Sequence, residues 1–253
     1  MKKLIAVFNI LIFVVLIGLG FYKFKIKVIK PSNSKTDKTQ TNNSESKQTN
    51  FNKSAHSLTD PQSMWVIVNK KLTIPIDFSP NLITPDVELR LKSQEQQMQI
   101  NTTTAPAIKE MFLAAKQDNV FLVFGSGYRS GALQKQFYDN YVSKDGITAA
   151  DTYSARPGHS EHQTGFSADI TSKRNECHLE TCFSETPEGQ WLAANAYKYG
   201  FIIRYPKDKQ TITGYQYEPW HVRFVGKELA SEIHKTNLTL EEFFELGPAM
   251  SYD

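Results

Sequence analysis

The most apolar stretch of the chain lies at its start, from Leu4 to Tyr22, and carries no charge. At 1.5 Å per residue it is long enough to cross the roughly 30 Å hydrocarbon layer of a bilayer. Residues 1–30 therefore read as an N-terminal membrane helix with basic flanks, Lys2 and Lys3 before it and Lys23, Lys25, Lys27 and Lys30 after it. A cleaved signal peptide is the competing reading, but the run exceeds a usual signal core and no small-x-small cleavage site follows it. With positive charge at both ends, the flanks do not fix the orientation. The pattern then inverts. Residues 31–50 hold no member of the set Ala, Val, Ile, Leu, Met, Phe, Trp, Tyr, Cys, and a stretch that cannot bury a core predicts a flexible, disordered tether, running to about residue 60. The remainder, residues 61–253, has the size of one domain.

Inside that domain the periods alternate. "MWVIV" at 64–68 is strand-like, and a proline-rich segment to Pro85 reads as extended surface chain. Ile108, Met111, Phe112 and Ala115 fall at i, i+3, i+4 and i+7, an amphipathic helix with Pro106 in its first turn. A strand over Val120–Phe124, a Gly-Ser-Gly turn and a helix from near Ser130 follow, the helix carrying Leu133, Phe137 and Tyr141 on one face and leaving Arg129 at the junction. "TPEGQWLAANAYKYGF" opens on a Thr-Pro cap signal and closes on Gly200. "FIIRY" is a strand, "TGYQYEPWHVRFVG" is strand-rich, and two helices close the chain, "GKELASEIHK" and "TLEEFFEL", the second with a Thr239/Glu242 capping box. No repeat is visible, which excludes a solenoid or propeller. The class is α+β: a small, mostly antiparallel sheet with helices packed on it.

Composition changes this picture little: of 253 residues, 40% are hydrophobic and 22% charged, with a net charge of +3 owed largely to the lysines beside the anchor. No Lys/Arg cluster falls in the domain, so nucleic acid is not an indicated partner. Cys177 and Cys182, in "ECHLETC", allow a short disulfide loop, two free thiols, or a metal pair with His178.

Candidate chemistry concentrates in "SARPGHSEHQTGFSADI", residues 154–170. On a helix, His162 and Asp169 would stand about 10.5 Å apart along the axis, too far for one ion with ligands at roughly 2 Å. Gly165 breaks a helix in any case, and beyond it Phe166, Ala168 and Ile170 alternate with Ser167, Asp169 and Thr171, the pattern of a half-buried strand with Asp169 on its polar face. His162 then lies in the preceding turn. His221, in "YEPWHVRF", is the candidate third ligand, and Glu218 sits three residues before it. Two imidazoles and one carboxylate leave a zinc ion one open position, where Glu218 is placed to deprotonate a water. In a regular strand Glu218 and His221 would point to opposite faces, so Pro219 is expected to impose a bend. His159 reads as support for this cluster or as loop surface, and His56 and His234 as solvent-facing. Trp220 reads as packing that positions His221.

The ordered motifs "SGYRS", "SEHQTGFSAD" and "EPWHVR" closely resemble the zinc D-alanyl-D-alanine carboxypeptidases of the VanY type, relatives by fold of the VanX dipeptidases and the hedgehog signalling domain. The resemblance covers most of Gln62 to Gly247, including "WVIVNKK", "TPEGQWLA" and "KYGFIIRYP". It implies the hedgehog/DD-peptidase-like zinc fold, with one Zn2+ held by His162, Asp169 and His221 and with Glu218 as catalytic base. One departure is visible: the alanine usual two residues before the aspartate is Ser167 here. The resemblance further implies substrate contacts from Arg129, Gln134, Ser160 and, where core packing is an equal reading, Tyr205. Arg129 would face either the terminal carboxylate or the anionic oxygen of the reaction. The implied activity is removal of the C-terminal D-alanine from peptidoglycan stem pentapeptides ending in D-Ala-D-Ala, in cell-wall maturation or glycopeptide-antibiotic resistance. The domain would then lie outside the cytoplasmic membrane of a bacterium, held by the N-terminal helix. An L,D-carboxypeptidase, a wall endopeptidase and a non-catalytic, zinc-stabilised wall-binding module are the alternatives. Glu218 weighs against the last, since a structural zinc site needs no base.

Overall fold

Four strands form the central antiparallel sheet of the computed structural model, which describes residues 51–252. The expected anchor, and the tether as far as residue 50, lie outside the described residues. Among the described residues no helix is long and apolar enough to cross a membrane. In chain order the elements are β1 (Leu82–Ile83), β2 (Ile100–Asn101), α1 (Ala105–Gln117), β3 (Leu122–Ser126), α2 (Gly131–Asp145) and α3 (Ile147–Ala150), then β4 (Ser167–Ser172), α4 (Pro187–Asn195), β5 (Phe201–Ile203), α5 (Gln210–Thr213), β6 (His221–Phe224), α6 (Lys227–Thr236) and α7 (Leu240–Phe243). β1 and β2 pair as a separate two-stranded sheet, and the central order is β3-β4-β6-β5.

Strand alternation divides the central sheet by chemistry. Phe124 opposes Ile170 and Ala168 opposes Val222. These four join one core cluster with Ile108, Met111, Phe112 and Ala115, the residues whose spacing predicted α1. The alternate positions Ser167, Asp169, His221 and Arg223 present the polar face, which Ser126 joins through a register shift in β3. That face was expected to be half-solvated, but every residue of β4 is buried. The loops that carry the site fold over it. A second cluster gathers Trp65, Ile67 and Ile202 with Leu229, Ala230 and Ile233 of α6 and Leu240 and Phe243 of α7.

Local expectations shift at several points. "MWVIV", expected as strand-like, lies outside any strand; Trp65 to Val68 are nonetheless buried, and the Trp65 indole donates to the Val225 carbonyl at 2.8 Å. Residues 51–60, expected to end the tether, fold onto the domain instead. Phe51 stacks on Trp65 at 5.5 Å and meets Phe243 edge-on at 5.4 Å, because an aromatic ring beside an apolar cluster gains more by burial than the short segment loses in freedom. The strand expected over Val120–Phe124 runs two residues later. In α2 the buried positions are Gly131 and Gln134, while Tyr141 is exposed, so the Leu133/Phe137/Tyr141 face is not a core face. The stretch read as strand-rich before His221 is turn and loop. The Thr239/Glu242 capping box is present.

Candidate metal centre and substrate cleft

Register places the site. Ser126 opposes Asp169 across β3 and β4, and Asp169 opposes His221 across β4 and β6, so three polar side chains line up across adjacent strands. The pairing shifts register between Phe124 and Ser126, and such a bulge re-aims a side chain. Ser126 Oγ donates to Asp169 Oδ2 at 2.6 Å.

His162 comes from the 3-10 turn Glu161–Thr164, capped by Gly165 in the left-handed conformation at φ +70. A side chain at residue 165 would also meet the Asn101 backbone nitrogen at 2.9 Å, so glycine is required twice over. The turn brings His162 back over β4. Its Nδ1 donates to the Gly127 carbonyl at 2.6 Å, which leaves Nε2 facing Asp169 Oδ2 at 3.4 Å. Glu218 joins from a tight turn rather than a strand: the His221 N–H donates to the Glu218 carbonyl at 3.2 Å, with Pro219 second in the turn. Proline pre-sets that position. The expected bend is this turn, and it sets Glu218 Oε2 3.7 Å from His221 Nδ1.

Ligand atoms of His162, Asp169 and His221 all lie within 4.8 Å of one another, and all three residues are buried. His221 Nδ1 is 3.2 Å from Asp169 Oδ1, a buried oxygen with no hydrogen-bond donor among the described residues. An unsatisfied carboxylate oxygen facing an imidazole nitrogen is a poor end state on its own and a good pair of ligands for a divalent cation. The residues present fit the expected ion. Arg129, between β3 and α2 as expected, directs Nη2 at both His162 Nε2 (2.6 Å) and Asp169 Oδ2 (2.7 Å).

Electrostatics separate the roles of the two imidazoles. Burial, reinforced by Arg129, lowers the His162 pKa to about 4. For His221 burial works the same way, but contact with Asp169 and Glu161 outweighs it and raises the pKa to about 9. Burial pushes Glu218 up to about 8.

Behind His221 lies an ionic cluster that sequence reasoning missed. Glu161, fully buried, stands with Oε2 3.6 Å from His221 Nε2. Its Oε1 accepts from Arg204 Nε and Arg223 Nη1, both at 2.7 Å, and Ser167 Oγ donates to Oε2 at 3.1 Å. Arg204 also makes a two-pronged contact with Glu241 at 2.6 and 3.0 Å. Burial alone would raise the Glu161 carboxyl, but Arg204 and Arg223 hold it well below the usual carboxylate range. Neighbouring a predicted ligand was the one signal Glu161 offered, and its partners are 43 and 62 residues away along the chain.

The ligand cluster forms the floor of a cleft of about 260 Å³, which Arg129, Gln134, Ser160, Tyr205 and Glu218 also line. Gln134 Nε2 donates to the Ala155 carbonyl at 2.7 Å, and its Oε1 faces Arg129 Nη1 at 3.4 Å. Tyr205 is both core and cleft, its ring 5.0 Å from that of His221. Trp220 is buried beside His221 and lines the cleft. His159 serves the loop rather than the site: its Nδ1 meets the Asn69 carbonyl at 2.8 Å and its ring meets Tyr252. His56 is exposed against Trp65, and His234 is exposed and stacked on Tyr197. Cys177 and Cys182 form a disulfide, the first of their three readings.

The family model for VanY, D-alanyl-D-alanine carboxypeptidase, matches residues 97–227. The chain is 47% identical over 187 residues to the putative carboxypeptidase YodJ of Bacillus subtilis (strain 168), which covers 74% of this chain and 68% of that protein. It is similar to the solved structure of the LdcB LD-carboxypeptidase, described for the molecular basis of peptidoglycan recognition, at 47% identity and a TM-score of 0.70 over 73% of this chain and 87% of that one. It is also similar to a mutant of the vancomycin-resistance D,D-pentapeptidase VanY from a VanB-type cassette, in complex with Zn(II), at 35% identity and a TM-score of 0.59 over 70% of this chain and 97% of that one.

Proposed function

This chain belongs to the VanY family of D-alanyl-D-alanine carboxypeptidases, and we propose that it hydrolyses the last peptide bond of peptidoglycan stem peptides, releasing D-alanine, with one zinc ion held by His162, Asp169 and His221. The observation that carries this reading is the convergence of those three side chains within 4.8 Å, with Glu218 3.7 Å from His221 Nδ1.

Held by His162, Asp169 and His221, the ion would supply Lewis-acid polarisation of the scissile carbonyl and acidify a water. The remaining work falls to the chain. Glu218 takes the proton of the attacking water and delivers it to the leaving amine of D-alanine. Burial raises its pKa to about 8 in the metal-free site, and a divalent cation beside it would favour the carboxylate a base needs. Arg129 holds Nη2 against His162 Nε2 and Asp169 Oδ2, at the edge of the ligand set, where its guanidinium would stabilise an anionic oxygen of the substrate. Gln134 and Ser160 offer hydrogen bonds that orient the peptide, and Tyr205 walls the cleft beside His221.

Two substrates end in the D-alanine this site would release. The family description favours the pentapeptide ending in D-Ala-D-Ala. Greater likeness to the LdcB LD-carboxypeptidase, 47% against 35% identity, favours the tetrapeptide. The Cys177–Cys182 disulfide and the apolar run at Leu4–Tyr22 support a domain anchored outside the cytoplasmic membrane, because disulfides persist in oxidising surroundings. The test is release of free D-alanine from each stem peptide by the zinc-loaded protein. Release that stops with chelator and returns with zinc supports the reading, and the ratio of kcat/KM values assigns the substrate. No release from either peptide would refute it.

A further inference from the structure

Leu179 stands where no folding requirement explains it. It is 41% exposed, belongs to neither apolar core cluster, and takes a left-handed backbone at φ +56 that costs a leucine about 1–2 kcal/mol. It nevertheless lines the cleft, as do Tyr141 and Tyr153, whose rings meet edge-on at 5.2 Å. The backbone around it is held from three sides. The disulfide closes a ring from Cys177 to Cys182. Cys177 packs on the main core, and Phe183, one residue past the ring, is wholly buried in it. His178 inside the ring is half-buried, its imidazole carbon 3.5 Å from where a side chain on Gly125 would begin. A strained loop pinned at both ends keeps a leucine out of the core and at the mouth of the cleft.

On the proposed function, which this inference rests on and deepens, the scissile bond must reach the ligand floor, where His162, Asp169 and His221 are each no more than 3% exposed. Only the C-terminal residue and its amide go that deep. The part of the stem peptide N-terminal to the cut leaves past the rim, where the exposed apolar atoms belong to Leu179 and Tyr141. We infer that the disulfide-closed loop is a specificity wall, on which Leu179, with Tyr141 and Tyr153, grips the aliphatic part of the stem peptide upstream of the scissile bond. Leu179 touches no reacting atom, so its effect falls on KM and scales with peptide length.

The test compares zinc-loaded wild type with Leu179→Ala, Leu179→Met and the double variant Cys177→Ser/Cys182→Ser. Each is assayed on whichever full stem peptide wild type turns over and on an N-acetylated dipeptide with the same last two residues. Removing the leucine contact is expected to raise KM for the full peptide about five- to tenfold, with kcat within about twofold and the dipeptide unaffected. Leu179→Met, which keeps the apolar volume, restores KM. The ring-opened variant follows Leu179→Ala because its leucine is no longer held. If wild type cleaves both substrates and Leu179→Ala changes neither KM, or both equally, the specificity wall is overturned. If ring opening leaves both KM values unchanged, the role of the disulfide is overturned. If wild type cleaves neither substrate, the fault lies with the proposed function instead.

Discussion

Glu161 precedes His162 in the chain, yet its carboxylate serves the other histidine: Oε2 stands 3.6 Å from Nε2 of His221, on the side away from Asp169. A carboxylate behind a metal-binding imidazole fixes which ring nitrogen carries the proton and leaves the other to the ion. Replacing Glu161 by glutamine keeps the shape and removes the charge between Arg204 and Arg223, all three side chains having no exposure. Breaking a buried ion pair in this way costs about 3–5 kcal/mol, and losing an outer partner of a ligand weakens metal binding about 10–100-fold. Glu161→Gln is therefore expected to lower the denaturation midpoint and, separately, to raise the zinc dissociation constant measured by chelator competition under folded conditions. An unchanged zinc affinity would reduce Glu161 to a structural role.

Acid sensitivity has a definite sign. The folded pKa of Glu161 is held below its unfolded value of about 4.3 by Arg204 and Arg223. A depressed carboxyl contributes stability that is fully present above the unfolded value and is lost as pH falls toward the folded one. Glu241, held low by Arg204, acts in the same direction. Unfolding free energy from denaturant titrations is expected to stay level with respect to these groups from pH 7 to about 5 and to fall steadily below about 4. The Glu161→Gln protein should show a shallower fall; an equal slope would contradict the assignment.

Much of the site was legible because its residues obey local rules. Gly165 and the alternation after it placed Asp169 on a strand and His162 in the turn before it. Spacing gave α1, and the capping box gave α7. What the sequence concealed depends on long-range pairing. Ser126 reaches Asp169 only through the β3–β4 register, and the Glu161–Arg204–Arg223–Glu241 cluster joins the turn before β4 to β6, the end of β5 and α7. The polar face that alternation marked as half-solvated is buried along the whole of β4. Residues 51–60 looked like tether because composition does not reveal that Phe51 has a ring to stack on.

Ion binding should release a proton near neutrality. In the metal-free protein His221 has its pKa raised to about 9 and is protonated at pH 7, whereas His162, lowered to about 4, is already neutral. A ligand imidazole must be neutral, so on the proposed ligand set zinc would displace the His221 proton, and affinity would rise with pH until His221 is neutral without it. Calorimetric zinc titrations in two buffers of different ionisation enthalpy are expected to show about one proton or more released per ion at pH 7, fewer above pH 9. No release at pH 7 would contradict the raised pKa of His221.

On the proposed function, His162, Asp169 and His221 hold the ion while Glu218, beside them but not among them, moves the proton. The most direct measurement pairs bound-zinc stoichiometry with D-alanine release in Glu218→Gln. The expected result is one zinc per chain, as in wild type, with kcat reduced about 10²–10⁴-fold. A variant that keeps wild-type turnover, or one that loses its zinc along with its activity, would contradict it.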